Sequence, residues 1–229
     1  MPSVSDLFSI PDTSLLLVGE YNFSLVLFSV AIAVFASFMG FQVASQAANA
    51  KTRLGRWVLL AVGAFAQGSG IWSMHFIGML AFELCTPVTY TWFTTLVSML
   101  PGIAAAWVAL NLLAQHSISN KQIVVGGVLI GAGIGAMHYI GMAAMDMAPL
   151  LRYDLSTFLL SVIVAVIFAM LSLWVRHGLQ RFLQSKLTRL TTNMLAGVVM
   201  GCAISAMHYT GMAAARFVSP PGLALPEQP

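Results

Sequence analysis

Three of the five histidines in the chain occupy the same position in a short pattern that occurs three times. Each copy reads Met-His-aromatic-x-Gly-Met, so a second methionine follows the histidine by four residues. Residues four apart lie on one face of an α-helix, and each copy therefore presents an imidazole and a thioether together. The three pairs are His75 with Met79, His138 with Met142, and His208 with Met212. An imidazole beside a soft sulfur is a ligand set that favours copper.

Three imidazoles at one depth would form a trigonal set of metal ligands with an open fourth position for a small molecule or water. Imidazole alone would also suit zinc, and a pair of histidines on facing helices would suit haem. The alternative without a metal is that each histidine makes a hydrogen bond between helices. The methionine that precedes each histidine points about 100° away from it. We interpret these residues as packing rather than as preferred ligands: Met74, Met137 and Met207.

The composition indicates the environment in which these residues lie. The chain has 229 residues, of which 59% are hydrophobic and 7% are charged. A soluble domain has about 25% charged residues, and this chain also contains repeated apolar runs long enough to cross a lipid bilayer. We therefore predict an all-α, polytopic membrane bundle. The net charge of +3 does not indicate a nucleic-acid partner, because the basic residues lie in short loops, where they determine orientation.

The apolar runs predict six membrane-spanning helices. They are placed near residues 22–45, 57–83, 91–114, 122–145, 155–176 and 190–215. Lys and Arg concentrate in the first, third and fifth connections, which predicts that these are cytoplasmic and that both termini are outside. Each motif histidine then lies about 12 Å of helix from the outer end of its span. We expect a bacterial inner-membrane protein with the motif site near the periplasmic side.

The motif belongs to a larger internal repeat of three helical hairpins. The predicted repeats are residues 21–83, 90–146 and 153–217, between a periplasmic segment (1–20) and a Pro-rich tail (218–229). Parallel repeats of this kind indicate a pseudo-threefold axis along the membrane normal. Small residues recur at every fourth position of the fourth and sixth helices, which predicts that these two helices pack closely. They are Gly127, Gly131, Gly135, Gly197, Gly201 and Ser205.

A tyrosine followed by a polar residue opens each odd-numbered helix on the side of the motifs. We interpret these residues as an interfacial aromatic belt with helix caps. The alternative is that they are hydrogen-bond partners of metal-bound histidines, which usually have one. The residues concerned are Tyr21, Asn22, Tyr90, Thr91, Tyr153 and Asp154.

The triple pattern resembles the MHYT domain, a bacterial integral-membrane sensor named after this motif. Two copies begin Met-His-Tyr, at Met137 and Met207, one of these continues to Thr210, and the first copy has Phe76 instead of tyrosine. The resemblance implies a copper-binding module that senses dioxygen, carbon monoxide or nitric oxide. It also implies a larger ligand set, comprising the three motif histidines and both methionines of each copy.

The family domain is described with seven spans, whereas six are predicted here. We expect that the natural protein continues with a seventh helix and a cytoplasmic output domain, such as a cyclic-di-GMP enzyme, and that residues 1–229 contain no enzyme. The other hypotheses are a copper transporter, a haem protein and a membrane oxidase. A methionine or histidine ladder through the cytoplasmic halves of the helices would favour transport, and none is present.

Overall fold

The computed structural model describes residues 4–9, 15–183 and 188–219. Within them lie six helices long and apolar enough to cross a membrane, which confirms the predicted bundle. The spans are Phe23–Ala48, Arg53–Leu80, Trp92–Leu113, Asn120–Met142, Leu155–His177 and Leu190–Ala214. Most of the predicted tail, from Pro220 onward, lies outside the described residues.

The helices are labelled α1 to α7, because the third span consists of two of them. They are α1 (Phe23–Ala48), α2 (Arg53–Leu80), α3 (Trp92–Val97), α4 (Met99–Leu113), α5 (Asn120–Met142), α6 (Leu155–Leu183) and α7 (Arg189–Ala214). The third span is interrupted at Ser98. Pro101 follows three residues later, and its missing N–H leaves the Val97 carbonyl without the usual helical hydrogen bond. The break therefore has a local cause in the sequence.

Short antiparallel strands join the ends of each hairpin on the motif side of the bundle, which the sequence did not predict. The strands are β1 (Leu16–Leu17), β2 (Glu20–Tyr21), β3 (Phe82–Glu83), β4 (Thr89–Tyr90), β5 (Met145–Asp146), β6 (Leu150–Tyr153) and β7 (Ala215–Val218). The pairs β2–β3, β4–β5 and β6–β7 each connect the strand before a hairpin to the strand after it. β1 adds to the other edge of β7.

One backbone hydrogen bond recurs at the same place in all three hairpins. The N–H groups of Asn22, Thr91 and Asp154 donate to carbonyl oxygens at the C-terminal end of the second helix of the same hairpin, each over 2.8 Å. The three acceptors are Ala81, Ala144 and Ala214, each six residues after its motif histidine. This common geometry supports the interpretation of three repeats, and the pseudo-threefold axis stays an interpretation.

The small residues of α5 and α7 pack against other partners than those predicted. A Cβ atom on Gly127 would collide with the Met170 side chain of α6, and one on Gly131 would collide with the α6 backbone. A Cβ atom on Gly197 or Gly201 would collide with the backbone of α1. Gly135 faces α7 only loosely, with its nearest neighbour, Met207 Cε, 3.8 Å from the position of an added Cβ. The close approaches therefore join α5 to α6 and α7 to α1, because the histidine-bearing faces of α5 and α7 occupy the space between them.

The residues that open α1 and α6 act as helix caps. Asn22 Oδ1 accepts a hydrogen bond from the Leu25 N–H over 3.4 Å. Asp154 Oδ1 accepts three, from the Ser156 hydroxyl and from the hydroxyl and N–H of Thr157, over 2.6 to 2.9 Å. The hydrogen bonds from Ser156 and Thr157 lower the pKa of the Asp154 carboxyl from 3.8 to about 2. The charged carboxylate is thus the form that the folded cap favours.

We predict that Asp154→Ala lowers the apparent Tm by a few degrees at pH 7, and that the deficit is pH-dependent. A carboxyl with a lowered folded-state pKa stabilises the fold above its unfolded pKa, and this stability is lost as the pH falls from about 4 to about 2. Thermal unfolding in detergent over that range should show wild type and variant converging. Asn22→Ala, which removes a neutral cap, is the matched control and should keep a constant deficit. A constant deficit for both variants would contradict the role of the charge.

Candidate metal centre

The three motif histidines meet inside the bundle, one each from α2, α5 and α7. Their exposed fractions are only 1% for His75, 1% for His138 and 2% for His208. One ring nitrogen from each lies within 4.8 Å of those of the other two. The Nδ1 atom of His75 is 3.1 Å from Nδ1 of His208 and 3.2 Å from Nδ1 of His138. The sequence prediction that the three copies bring their histidines to one site is therefore realised in the geometry.

The separations of 3.1 and 3.2 Å lie within hydrogen-bond range, and they are also close to the spacing of ligands around one metal ion. Three nitrogen ligands about 2.0 Å from an ion in a trigonal plane lie about 3.5 Å apart. A neutral imidazole carries one N–H, so three Nδ1 atoms that face one another present lone pairs to each other unless protons or a cation lie between them. Three buried histidines are thus close enough to bind a metal ion.

The second nitrogen of each histidine lies against the motif glycine of a different helix. An added Cβ would collide with the Nε2 atom of a histidine at all three glycines. The contacts join His75 to Gly141, His138 to Gly211, and His208 to Gly78. They form a closed cycle, since α2 contacts α5, α5 contacts α7, and α7 contacts α2. The glycine three residues after each histidine therefore serves the histidine of the neighbouring repeat.

The Nε2 atoms have no hydrogen-bond partner of good geometry among the described residues. A side chain on the facing glycine would displace the ring. The glycines thus leave room for Nε2 while Nδ1 lies at the common centre. The sequence contained the signal for this role, because glycine occurs at the same offset in all three copies, but spacing alone does not identify the facing helix.

The two sets of motif methionines lie on opposite sides of the histidines. The outer apolar cluster, which includes strand residues, contains Met79, Met142 and Met212. The inner cluster contains Met74, Met137 and Met207. All six are buried, with at most 4% of the residue exposed. Met137 packs its Cγ against Gly102 of α4, and Met207 extends toward Gly135, which agrees with packing roles for the inner set.

An aromatic shell surrounds the histidines. The ring that follows each histidine lies 4.7 to 4.9 Å from it, in Phe76, Tyr139 and Tyr209. Each of these rings also contacts a belt tyrosine from another hairpin. The pairs are Phe76 with Tyr90 at 5.7 Å, Tyr139 with Tyr153 at 5.3 Å, and Tyr209 with Tyr21 at 5.8 Å. One aromatic ring therefore lies between each belt tyrosine and the nearest motif histidine.

The belt residues themselves have other hydrogen-bond roles. Asn22 and Asp154 cap helices, and no hydrogen bond joins a belt residue to a motif histidine in the described part of the chain. Burial raises the pKa of the Tyr21 phenol to about 12 and also raises the pKa values of Tyr90 and Tyr153. The three phenols are therefore neutral at physiological pH.

Three serines anchor this shell, and the sequence analysis did not identify them. Tyr209 and Tyr139 share hydrogen bonds with Ser29 over 2.7 Å and with Ser161 over 2.6 Å. Phe76 has no hydroxyl, and in the first motif Trp72 Nε1 donates instead to Ser98 over 3.1 Å. Each serine follows a belt tyrosine by eight residues, and this constant offset is the signal that could have revealed them.

Comparison with known proteins agrees with this site. The family described as "MHYT: Bacterial signalling protein N terminal repeat" matches residues 68–126, 131–190 and 201–226. The chain belongs to the MHYT family. No solved structure matches it.

Among its relatives is the bifunctional diguanylate cyclase/cyclic di-GMP phosphodiesterase MucR of Pseudomonas aeruginosa, 44% identical over 206 residues, which cover 88% of this chain and 29% of that protein. The cyclic di-GMP phosphodiesterase NbdA of the same organism is 33% identical over 90% of this chain and 26% of its own length. The signaling protein YkoW of Bacillus subtilis is 33% identical over 88% and 25%. The MHYT chain thus spans less than a third of these relatives.

We predict that Gly141→Ala weakens metal binding by about ten- to a hundredfold, as the loss of a group that orients a ligand does. The added methyl group would displace the His75 ring. Competition titration with a chelator measures the affinity. Gly135→Ala, on the same helix α5, is the matched control, because an added Cβ there has no neighbour within 3.8 Å. Equal affinities in two folded variants would show that the glycine contact does not position the histidine.

Proposed function

We propose that the MHYT chain is a membrane-embedded copper sensor. The observation that carries the proposal is the convergence of three buried Nδ1 atoms from three hairpins. His75, His138 and His208 would hold the ion, with Met79, Met142 and Met212 as the further candidate ligands. Thioether sulfur binds Cu(I) and competes poorly for zinc, which favours copper over zinc at this site.

The proposed signal is a diatomic gas (dioxygen, nitric oxide or carbon monoxide) or a change of redox state. Copper would supply an open coordination position and a change of charge. Because each histidine comes from a different hairpin, a ligand that prefers one arrangement of the three imidazoles also selects one arrangement of the helices. The bundle is thereby a way of converting a change at the site into a displacement of whole spans.

The proposed output is cytoplasmic cyclic-di-GMP turnover in a longer protein. Two relatives are named as enzymes of cyclic di-GMP turnover. The match to this chain covers 29% of the length of one and 26% of the length of the other. The motif side would be periplasmic, since the first and third connections carry Lys51, Arg53 and Lys121, whereas Glu83 and Asp146 lie at the opposite ends of the hairpins.

The alternative functions have less support. A haem with two axial histidines places the porphyrin between them, and Nδ1 atoms 3.1 and 3.2 Å apart leave no room for it. For copper transport, ligands would have to continue along the axis, but the next layer toward the cytoplasm is apolar. It consists of Ile71, Ile134 and Ile204.

We predict that the protein, purified in detergent and reconstituted with copper, contains at least one copper ion per chain. The triple variant His75→Ala, His138→Ala, His208→Ala should lose this copper. Elemental analysis measures both. Met74→Leu is a matched control that alters an inner methionine and should retain the ion. Zinc instead of copper would keep the site but remove the redox proposal, and absence of metal in wild type would overturn it.

We predict that a membrane-impermeant maleimide labels Cys85 in intact cells, because this exposed cysteine lies in the connection after β3, on the motif side. Thiol labelling needs water to form the thiolate, so lipid-facing Cys202 should not react. The variant Cys85→Ser should be unlabelled. Adding Ser117→Cys to it, in the connection between α4 and α5, should give labelling only after lysis. The reverse pattern would place the motif side in the cytoplasm.

A further inference from the structure

The histidine triad is closed to water along the bundle axis on both sides. Toward the outer surface lie the buried methionines of the outer cluster, beneath the strands. Toward the cytoplasm lies the layer of Ile71, Ile134 and Ile204, each at most 4% exposed. A charged or strongly hydrated ligand would have to lose its water to pass either layer. A small uncharged molecule has no such cost, and it also dissolves in the bilayer.

A groove between α1 and α2 opens toward the bilayer at about the middle of the membrane. Its volume is about 340 Å³. The rim includes Phe35 and Met39 of α1, whose exposed fractions are 66% and 43%. On α2 three of the four lining residues are small, namely Gly63, Ala66 and Gly70. The groove is therefore an apolar recess that lipid-dissolved molecules reach directly.

A second, much smaller cavity lies on the axis directly beneath the triad. The isoleucine layer lines the side of this cavity that faces the triad, and Ile130 and Met200 line the opposite side. The volume of the cavity is about 10 Å³. This is close to the smallest cavity that holds one water-sized molecule. Because the isoleucines lie four residues before the histidines, one helical turn separates the cavity from the imidazoles.

One side chain, Gln67, lines both the groove and the axial cavity. It is only 4% exposed, and its Oε1 atom has no hydrogen-bond partner in the described part of the chain. The amide lies against Gly40 of α1, where an added Cβ would collide with Oε1. No hydrogen bond therefore holds the amide carbonyl in place, and a change of its side-chain torsions would join the two spaces.

The second and third hairpins have apolar residues at the position of Gln67. The residues that correspond to Gln67, eight before the motif histidine, are Ile130 and Met200. A groove of about 250 Å³ beside α4 and α5 lies near Lys121 and shares no lining residue with the axial cavity. Of these three spaces, only the groove beside α1 and α2 shares a lining residue with the axial cavity.

We propose that the α1–α2 groove and the axial cavity form a lateral path by which small uncharged molecules dissolved in the bilayer reach the histidine triad, with the Gln67 side chain as its movable partition. The ligand class is a diatomic gas, and this assignment of ligand to path rests on the proposed function. The path itself depends on the two cavities, on Gln67 and on passage through the layer of Ile71, Ile134 and Ile204. These apolar side chains impose no desolvation cost on an uncharged molecule.

Xenon tests the path without any metal. Crystals of metal-free protein under xenon pressure should show xenon in the groove next to Gln67. Ala66→Trp, which fills the groove from its lipid-facing side, should abolish this site. Ala61→Trp is the matched control, since Ala61 is also exposed on α2 but does not line the groove. Wild-type protein without xenon there, or xenon retained in folded Ala66→Trp protein, would overturn the proposal.

Carbon monoxide rebinding after flash photolysis of the reduced, copper-loaded protein tests the path kinetically. Ala66→Trp should slow rebinding about tenfold relative to Ala61→Trp, as about 1.4 kcal/mol of added barrier does. Gln67→Ala, which removes the partition, should speed it. Equal rates in the three variants would overturn the path while leaving copper binding intact. Failure to load copper would overturn the proposed function, and the xenon comparison would then decide the path.

Discussion

The convergence of three imidazoles in a membrane interior is the constraint on which the rest of the structure depends. A histidine in a membrane span is costly unless it faces a partner, and here the partners are one another. Three rings meet within a few ångströms only if the helices that carry them approach closely at that depth. The glycine three residues after each histidine permits this approach, because it receives the outward nitrogen of the neighbouring ring. Each hairpin thus supplies one ligand and one surface for another.

The packing of the remaining helices follows from that arrangement. The histidine-bearing helices α2, α5 and α7 use their inner faces for the triad, so their close contacts along the rest of their length are with the odd-numbered spans. Gly127 and Gly131 contact α6, and Gly197 and Gly201 contact α1. The serine contacts of Tyr139 and Tyr209 join the same helix pairs near the motif end of the bundle. Neighbouring spans therefore hold the ring of six together through their side-by-side contacts. The three histidines add contacts between α2, α5 and α7 across the centre of the ring.

The sequence predicted the parts that have a strong period or a repeated motif. Apolar runs of membrane length indicated six spans, and triplication of one pattern placed His75, His138 and His208 together. It did not predict the strands, because two to four residues are too few for a period of two to be recognised. Nor did it predict the partners of the glycines. A small residue at every fourth position, such as Gly127 and Gly131, marks a face for close approach but does not name the helix that fills it.

The first hairpin departs from the other two at each level of the structure. It has Phe76 where the others have tyrosine, and Trp72 makes the hydrogen bond to serine that the missing hydroxyl would have made. It also has Gln67 where the others have apolar side chains. The three ligands of the triad are therefore chemically alike, but their surroundings are not. A change at the triad would therefore meet different surroundings in each hairpin, and in the first of them these include the Gln67 amide oxygen, which has no hydrogen-bond partner among the described residues.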